Sequence, residues 1–285
     1  MPANNRDMAF KAACKQALSI PISAQTTHAF HNKATTIMGL KFANRLGIAA
    51  GFDKQGELGK AAGALGFGHI ELGTHTFEQC TSLTIKNAPA DCKPALIGIN
   101  LNIHEVLKDE INIKIRTHLK KINNIADYIS INLYDHYNEE ALQHVIRNIS
   151  ELKKYQLHFS TDTNKILPLI IKLHTNPQAD NLKATISTLQ SLSVSGIAIS
   201  FDLGKPVTKN TFLFWQDPLA QAHVCRQLEH YRKLIHEKTA LIAIGGVSQA
   251  QHYQDRLSAG ADLIQLHNAL VFNGPDTAYK ILKET

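Results

Sequence analysis

Eight short apolar segments recur along the chain, and they constrain its fold more than any other feature. They are near-continuously apolar rather than alternating, which is typical of parallel strands covered on both faces. Between most of them lie segments with helical spacing, at 104–122, 138–155, 179–193 and 218–237. The eight apolar segments occupy residues 46–52, 69–74, 95–100, 128–133, 167–173, 196–200, 241–246 and 263–270.

Eight strands that alternate with helices over roughly 250 residues predict an α/β fold of the (β/α)8 barrel type. An open doubly wound sheet is the alternative, but the GxGxxG fingerprint of a dinucleotide fold does not follow the first strand. The residues before the barrel predict one or two short helices that break near Pro21. We therefore expect a helical extension over 1–37 and a barrel over 38–285.

Composition excludes several classes of function. The 285 residues include no apolar run near the roughly 20 residues of a membrane helix, and no signal peptide is visible. The four cysteines form no CxxC pair and the histidines no HxH or HExxH spacing, so no metal site is predicted. With no export signal, reduced thiols in the cytosol are expected. The formal charge of +6 permits an anionic ligand, but the basic residues are scattered and nucleic-acid binding is not predicted.

Small or polar residues close the predicted strands, at the end where a barrel collects its chemistry. Each one taken singly can be a cap that satisfies loop amides. Together, amide, hydroxyl and ammonium groups around one ring suit a flat, heteroatom-rich ligand with an anionic tail. In strand order the closing residues are Ala50 and Gly51, Thr74, Asn100, Asn132, Lys172, Ser200, Gly245 and Gly246, and His267 and Asn268.

Lys172 lies inside an apolar strand, where an unpaired ammonium group is costly. It should therefore have a partner, and two are considered. One is a carboxylate of a neighbouring strand, such as Glu71. The other is an electron-rich or anionic atom of a bound ligand.

Glycines in two loops indicate close approach to a ligand. Gly245 and Gly246 follow the seventh strand, where such barrels bind phosphate through backbone N–H groups. In AAGFDK, Lys54 is a candidate cation on the substrate side. The same segment is also compatible with an ordinary glycine turn in which Asp53 caps the next helix.

Several motifs resemble those of the dihydroorotate dehydrogenases, specifically the membrane-associated class that uses quinone. The resemblance is densest in MGLKFANRLGIAAGFDKQGE (38–57) and GALGFGHIELGTHT (63–76). It continues through IGINLN, YISINL, IIKL, AIGGVS and SAGADLIQLHNALVFNGP. The segment before the barrel is similar to a shortened form of that class's N-terminal extension, which in relatives lines a quinone tunnel and touches the membrane.

The resemblance implies a barrel that holds FMN and oxidises dihydroorotate to orotate, a step of pyrimidine biosynthesis. In this reaction a base removes the C5 proton, hydride passes from C6 to flavin N5, and quinone reoxidises the flavin. It also implies a cytosolic protein whose N-terminal helices make peripheral contact with the inner membrane. By motif, the flavin would contact Ala50, Gly51, Thr74, Asn100, Asn132, Lys172 and Ser200, with Lys54 near substrate and flavin and Gly246 near the phosphate.

The catalytic position departs from the family pattern. Asp135 stands where this class has its serine base, and Tyr137 replaces an Asn that binds orotate. A carboxylate in a closed apolar site can have its pKa raised into a useful range, so Asp135 is the candidate base. His136, one residue further on, is the second candidate.

Other departures also concern the substrate side. The long loop after the second strand, with its Asn-Arg-x-Gly-Phe-Asn motif, is replaced by the short segment 77–93. Phe201 stands where a substrate-binding Asn is expected, and WQDPL (215–219) lacks the glycine of a Ser-Gly-x-Pro loop. His267 and Asn268 replace a Tyr-Ser pair that contacts the phosphate. The flavin contacts are thus mostly retained, whereas most orotate contacts are not.

Three hypotheses follow from this asymmetry. The chain is a dihydroorotate dehydrogenase with Asp135 as its base, an FMN oxidoreductase with a different substrate, or a non-catalytic relative that keeps the scaffold. Bound flavin would separate the first two from a barrel without cofactor. The oligomeric state is left open by the sequence.

Overall fold

The eight predicted strands form a closed parallel barrel in a computed structural model of the chain. The structure describes residues 2–19, 34–102, 112–133, 143, 146–147, 149–154, 166–174, 182–201 and 208–285. A two-stranded hairpin, β1 (Thr35–Ile37) and β2 (Leu40–Phe42), precedes the barrel. The barrel strands are β3 (Leu46–Asp53), β4 (His69–His75), β5 (Leu96–Leu101), β6 (Tyr128–Asn132), β7 (Leu169–His174), β8 (Gly196–Ser200), β9 (Ala240–Ile244) and β10 (Leu263–Leu266).

Each barrel strand pairs in parallel with the next one along the chain, and β10 pairs with β3 to close the ring. The predicted (β/α)8 barrel is therefore confirmed. The eighth strand is shorter than predicted: it ends at Leu266, and a helix begins at Asn268. The apolar side chains that follow it belong to that helix, because a short apolar run does not distinguish strand from helix.

The helices around the barrel agree with the predicted alternation. The described helices are α1 (Pro2–Ser19), α2 (Asn112–Ile125), α3 (Leu182–Ser191), α4 (Lys209–Phe214), α5 (Pro218–Leu234), α6 (Ala250–Ser258), α7 (Asn268–Asn273) and α8 (Thr277–Lys283). Two 3₁₀ segments, Gly59–Leu65 and Gln79–Ser82, follow β3 and β4. None of these described helices is long and apolar enough to cross a membrane.

Buried apolar residues form two layers. The larger lies between the outer face of the barrel and the surrounding helices. The smaller fills the inside of the barrel and includes Phe42, Tyr128 and Ile242. Ile37, Met38 and Leu40 of the hairpin pack against this inner layer, so the hairpin covers the end of the barrel opposite the carboxyl ends of the strands. The site is thereby restricted to the carboxyl end.

Helix α1 packs on the barrel instead of standing apart from it. Ala13 and Ala17 are fully buried in the main apolar layer, and the ring of Phe10 contacts that of Phe52 edge to face, with 5.6 Å between centroids. Met8 and Leu18 are left exposed, at 65% and 56%. The apolar side of α1 is therefore divided between the barrel and the surface.

Candidate active site

Three of the predicted flavin contacts form a hydrogen-bonded cluster at the carboxyl ends of β4, β5 and β6. The Thr74 hydroxyl donates to Asn100 Oδ1 over 2.7 Å, and Asn132 Nδ2 donates to the same oxygen over 3.1 Å. Asn100 Nδ2 in turn donates to Asn132 Oδ1 over 2.9 Å. Asn100 is fully buried, whereas Thr74 is exposed at the mouth. The strand register thus assembles three polar groups that are far apart in sequence.

Lys172 forms a buried ion pair with Glu71 across the inside of the barrel. Glu71 is fully buried and Lys172 is 2% exposed. The carboxylate considered as a partner of Lys172 is therefore present, although it reaches across the barrel from β4, which is not adjacent to β7. Because a buried charge without a partner is strongly unfavourable, this pair explains how a lysine is tolerated inside the strand.

Two further residues, not identified in the sequence, donate to Glu71, and one of them, Ser130, connects this ion pair to the cluster at the mouth. Gln265 Nε2 donates to Glu71 Oε1 over 2.7 Å, and the Ser130 hydroxyl donates to Glu71 Oε2 over 3.1 Å. Asn100 Nδ2 donates to the Ser130 oxygen over 2.8 Å. A polar chain therefore runs from the mouth into the barrel. The sequence could have identified Ser130 and Gln265, because each is a polar residue at an inward-facing position of an otherwise apolar strand.

The end of β3 turns around Asp53, which is fully buried. Its Oδ1 accepts hydrogen bonds from the backbone N–H groups of Gly56 and Glu57, and its Oδ2 accepts from those of Leu58 and Gly59. The capping role considered for Asp53 is therefore present. The neighbouring Lys54 is exposed.

The ends of β3 and β10 meet beneath α1. A Cβ placed on Gly51 would lie 3.8 Å from His267 Nε2, and Arg6 of α1 donates to the Gly51 carbonyl over 3.4 Å. The ring of His267 also packs edge to face on Phe52, and its Nδ1 lies 3.0 Å from Asn268 Oδ1. Ala50 is half-buried in the same strand. This corner brings the first and last strands of the predicted site together.

The predicted phosphate turn follows β9. Gly245 and Gly246 have φ of 92° and 72°, the left-handed region that favours glycine. The Trp215 ring packs on the turn: a Cβ on Gly246 would lie 3.1 Å from its Cε3. The space between the turn, Trp215 and the start of α7 is about 10 Å³, room for about one water molecule. Trp215 is half-buried, so the ring must move for a larger group to enter.

The segment WQDPL joins α4 to α5 as an ordinary helix start. Asp217 caps α5 by accepting from the backbone N–H groups of Leu219 and Ala220, and Pro218 occupies the first turn. Ser200, at the end of β8, is 4% exposed and Phe201 beside it is 7% exposed. The buried ring of Phe201 thus follows directly on the carboxyl end of β8.

The segment 77–93 is compact. Phe77, Cys80 and Cys92 are buried in the main apolar layer, and the backbone of Lys86 exchanges hydrogen bonds with Gly56 and Lys60. It packs beside the 3₁₀ helix that follows β3. Asp135, His136 and Tyr137, the candidates for proton removal and substrate contact, lie outside the described residues.

Comparison with known proteins agrees with this architecture. The sequence model of the family described as dihydroorotate dehydrogenase matches residues 78–285. The dihydroorotate dehydrogenase (quinone) of Acinetobacter baylyi is 25% identical, over 95% of each chain. That of Halorhodospira halophila is 28% identical, over 84% of this chain and 81% of the relative.

A solved structure has the same fold. The crystal structure of dihydroorotate dehydrogenase from Eimeria tenella in complex with ferulenol superposes with a TM-score of 0.72 at 18% identity, covering 100% of this chain and 90% of that one. Because the family match spans most of the barrel, the chain belongs to the dihydroorotate dehydrogenase family.

Proposed function

We propose that the chain is an FMN-dependent dehydrogenase that oxidises dihydroorotate to orotate and passes the electrons to quinone. The observation that carries the proposal is the polar chain at the carboxyl end of the barrel, in which Thr74, Asn100, Asn132 and Lys172 occupy the flavin-contacting positions implied by the family motifs. Family membership and the quinone-dependent relatives support the same reaction.

The residues present fit FMN. The cluster of Thr74, Asn100 and Asn132 offers uncharged donors and acceptors of the kind that ring nitrogen and carbonyl groups require. The Gly245–Gly246 turn offers backbone that a phosphate can approach closely, once Trp215 moves aside. The cofactor site thus combines a neutral polar part and a glycine turn at two sides of one barrel mouth.

Each residue has a defined part in the proposed reaction. When bound, FMN supplies the acceptor for the C6 hydride and carries the electrons to quinone. Asn100 and Asn132 orient the flavin ring by hydrogen bonds, and Lys172, neutralised by Glu71, presents its remaining N–H groups to it. Asp135 takes the C5 proton of dihydroorotate.

Quinone approaches beside α1 in this proposal. Arg6 and Phe10 of this helix contact the end of β3, next to the Gly51 that is assigned to the flavin. Met8 and Leu18 are exposed on the same helix and supply a small apolar surface for peripheral contact with a membrane. In this proposal α1 therefore connects the mouth of the barrel to the membrane, where quinone is dissolved.

A second candidate is an FMN oxidoreductase with a smaller or less polar substrate. The observation that favours it is the apolar and shortened substrate side: Phe201 is buried where an Asn is expected, and the short segment 77–93 buries Phe77, Cys80 and Cys92 in the main apolar layer. A site that recognises a substrate through hydrogen bonds discriminates strongly by them. Loss of such contacts, at about 1–3 kcal/mol each, weakens recognition of orotate-like rings.

Anaerobic reduction of the bound flavin separates these candidates. The purified protein should be yellow, and millimolar dihydroorotate should bleach its absorbance, which a soluble short-chain quinone then restores. Asp135→Asn should slow the bleaching by at least about 100-fold, as expected for loss of a general base. His136→Asn tests the second candidate base and should retain the wild-type rate if Asp135 is the base.

Each other outcome has a definite meaning. A yellow protein that millimolar dihydroorotate does not bleach would exclude the first candidate and favour the second. A colourless protein that does not take up FMN would exclude both. Full bleaching by Asp135→Asn would remove Asp135 from the role of base.

A further inference from the structure

Arg256 of α6 is a fully buried arginine that has no carboxylate partner among the described residues. Its Nη2 donates to Gln221 Oε1 over 2.7 Å and its Nη1 donates to Cys225 Sγ over 3.2 Å, while its Nε has no partner. The nearby Asp255 carboxylate accepts from Gln251 instead. Among the described residues the charge of Arg256 is therefore buried without a direct ion pair, an arrangement that is costly for a protein to keep.

The guanidinium lies directly behind the predicted phosphate turn. A Cβ on Gly246 would lie 3.4 Å from Arg256 Nη2. Gln221 bridges the two groups, because its Oε1 accepts from Arg256 while its Nε2 donates to the Gly246 carbonyl over 2.7 Å. The guanidinium charge thus polarises the Gln221 amide, and this amide in turn binds the Gly246 carbonyl of the turn. Hydrogen bonds that are linked in this way strengthen one another.

We propose that Arg256 is a positioning residue for the phosphate of FMN. Through Gln221 it fixes the Gly246 carbonyl on the protein side of the turn, so that this carbonyl oxygen does not face the anion. Its positive charge, which lies behind the turn, attracts a phosphate dianion bound at the turn. This assignment rests on the proposed flavin function and adds a residue that the family motifs do not mark.

A role in stability alone predicts a different behaviour. An arginine that only fills space would affect FMN and riboflavin equally, because the two differ only in the phosphate. An arginine that holds the phosphate site affects FMN and leaves riboflavin nearly unchanged. The ratio of the two affinities therefore isolates the proposed role.

Trp215 provides the measurement. It is the only tryptophan of the chain and its ring packs on Gly246, so entry of a phosphate changes its fluorescence. Protein freed of flavin is titrated with FMN and, separately, with riboflavin. The wild type should prefer FMN, and Arg256→Met should lower this preference at least tenfold. Arg232→Met, which removes an arginine of α5 paired with Asp262, is the matched control and should retain the preference.

Gln221→Leu is the second variant, because it breaks the bridge and keeps the charge. It should lower the preference for FMN several-fold, and it keeps the test decisive if Arg256→Met does not fold. An unchanged preference in a folded variant of either residue would overturn the role of Arg256. A wild type that binds neither compound would instead overturn the proposed flavin function, so the two failures are distinguishable.

Discussion

Replacing His69 by Phe should make the protein less sensitive to acid. His69 lies inside the barrel, fully buried, and neither of its ring nitrogens has a hydrogen-bond partner in the part of the chain that the structure describes. The ring packs edge to face on Phe42 and Tyr128, at centroid distances of 5.4 Å and 6.3 Å, and above Gly47, where a Cβ would lie 2.2 Å from it. The surroundings are thus those of an aromatic apolar side chain.

The magnitude follows from the pKa of His69. Burial lowers this pKa from its ordinary value of 6.5 to about 4, while Glu71 raises it and Lys172 lowers it by smaller amounts. The unfolded chain therefore binds a proton that the folded protein excludes, and stability falls as the pH drops from 6.5 towards 4. At pH 5, which is about 1.5 pH units below the ordinary value, the loss is about 2 kcal/mol.

At pH 7.5 two opposing effects are of similar size. His69→Phe removes two buried, unsatisfied nitrogens, whose desolvation costs about 1–3 kcal/mol. The larger ring must also fit above Gly47, and overpacking costs about 1–3 kcal/mol. The change between the two pH values, rather than the value at either one, therefore carries the test.

Urea unfolding followed by circular dichroism at pH 7.5 and pH 5 measures this change. The free energy of unfolding of His69→Phe minus that of wild type should be about 2 kcal/mol higher at pH 5 than at pH 7.5, because the variant escapes the loss that wild type suffers in acid. The same substitution at the exposed His223 of α5 is the control, and its effect should agree at both pH values within about 0.5 kcal/mol. An effect of His69→Phe that is equal at both pH values would refute the argument.

Two further predictions concern buried charges. Lys172→Met should cost about 3–5 kcal/mol of unfolding free energy in urea because it leaves Glu71 buried and unpaired, and adding Glu71→Gln should recover at least half of this loss. The control is Lys154→Met, which breaks the exposed ion pair with Glu151 and should change the unfolding free energy by less than about 1 kcal/mol. Equal losses of stability in Lys172→Met and Lys154→Met would contradict the reasoning. Asp53→Asn should cost about 3 kcal/mol, because an amide group cannot accept from four N–H groups; a thermal melt by circular dichroism that matches wild type would argue against this.

The barrel and its polar mouth could be predicted because both leave a local signal. Buried parallel strands are apolar throughout, and a polar side chain that closes such a strand, such as Asn100 or Asn132, stands out from it. The partner of Lys172 was among the alternatives for a similar reason, since a charge in an apolar strand requires one. These features depend on short stretches of sequence and on the regular geometry of the barrel.

Other parts of the site depend on contacts between segments that are distant in sequence. No local sequence pattern predicts such contacts. Arg256 resembles any other polar residue of an amphipathic helix until α5 brings Gln221 against it. The burial of Ala13 and Ala17 of α1 on the barrel had no sequence signal. The hairpin β1–β2 was missed because three-residue strands are too short for a period to be recognised.

The closure of the barrel has a consequence for the synthesis of the protein. The ring closes only when β10 pairs with β3, through residues such as Ile264 and Leu46 that lie towards opposite ends of the barrel sequence. Pairing between such distant segments is slow, and a ribosome releases the last strand late. Until then the corner formed by Gly51 and His267 does not exist. A nascent chain therefore exposes the edge of β3 that later pairs with β10 and cannot hold a ligand at that corner, so chaperone protection should matter most until β10 has been synthesised.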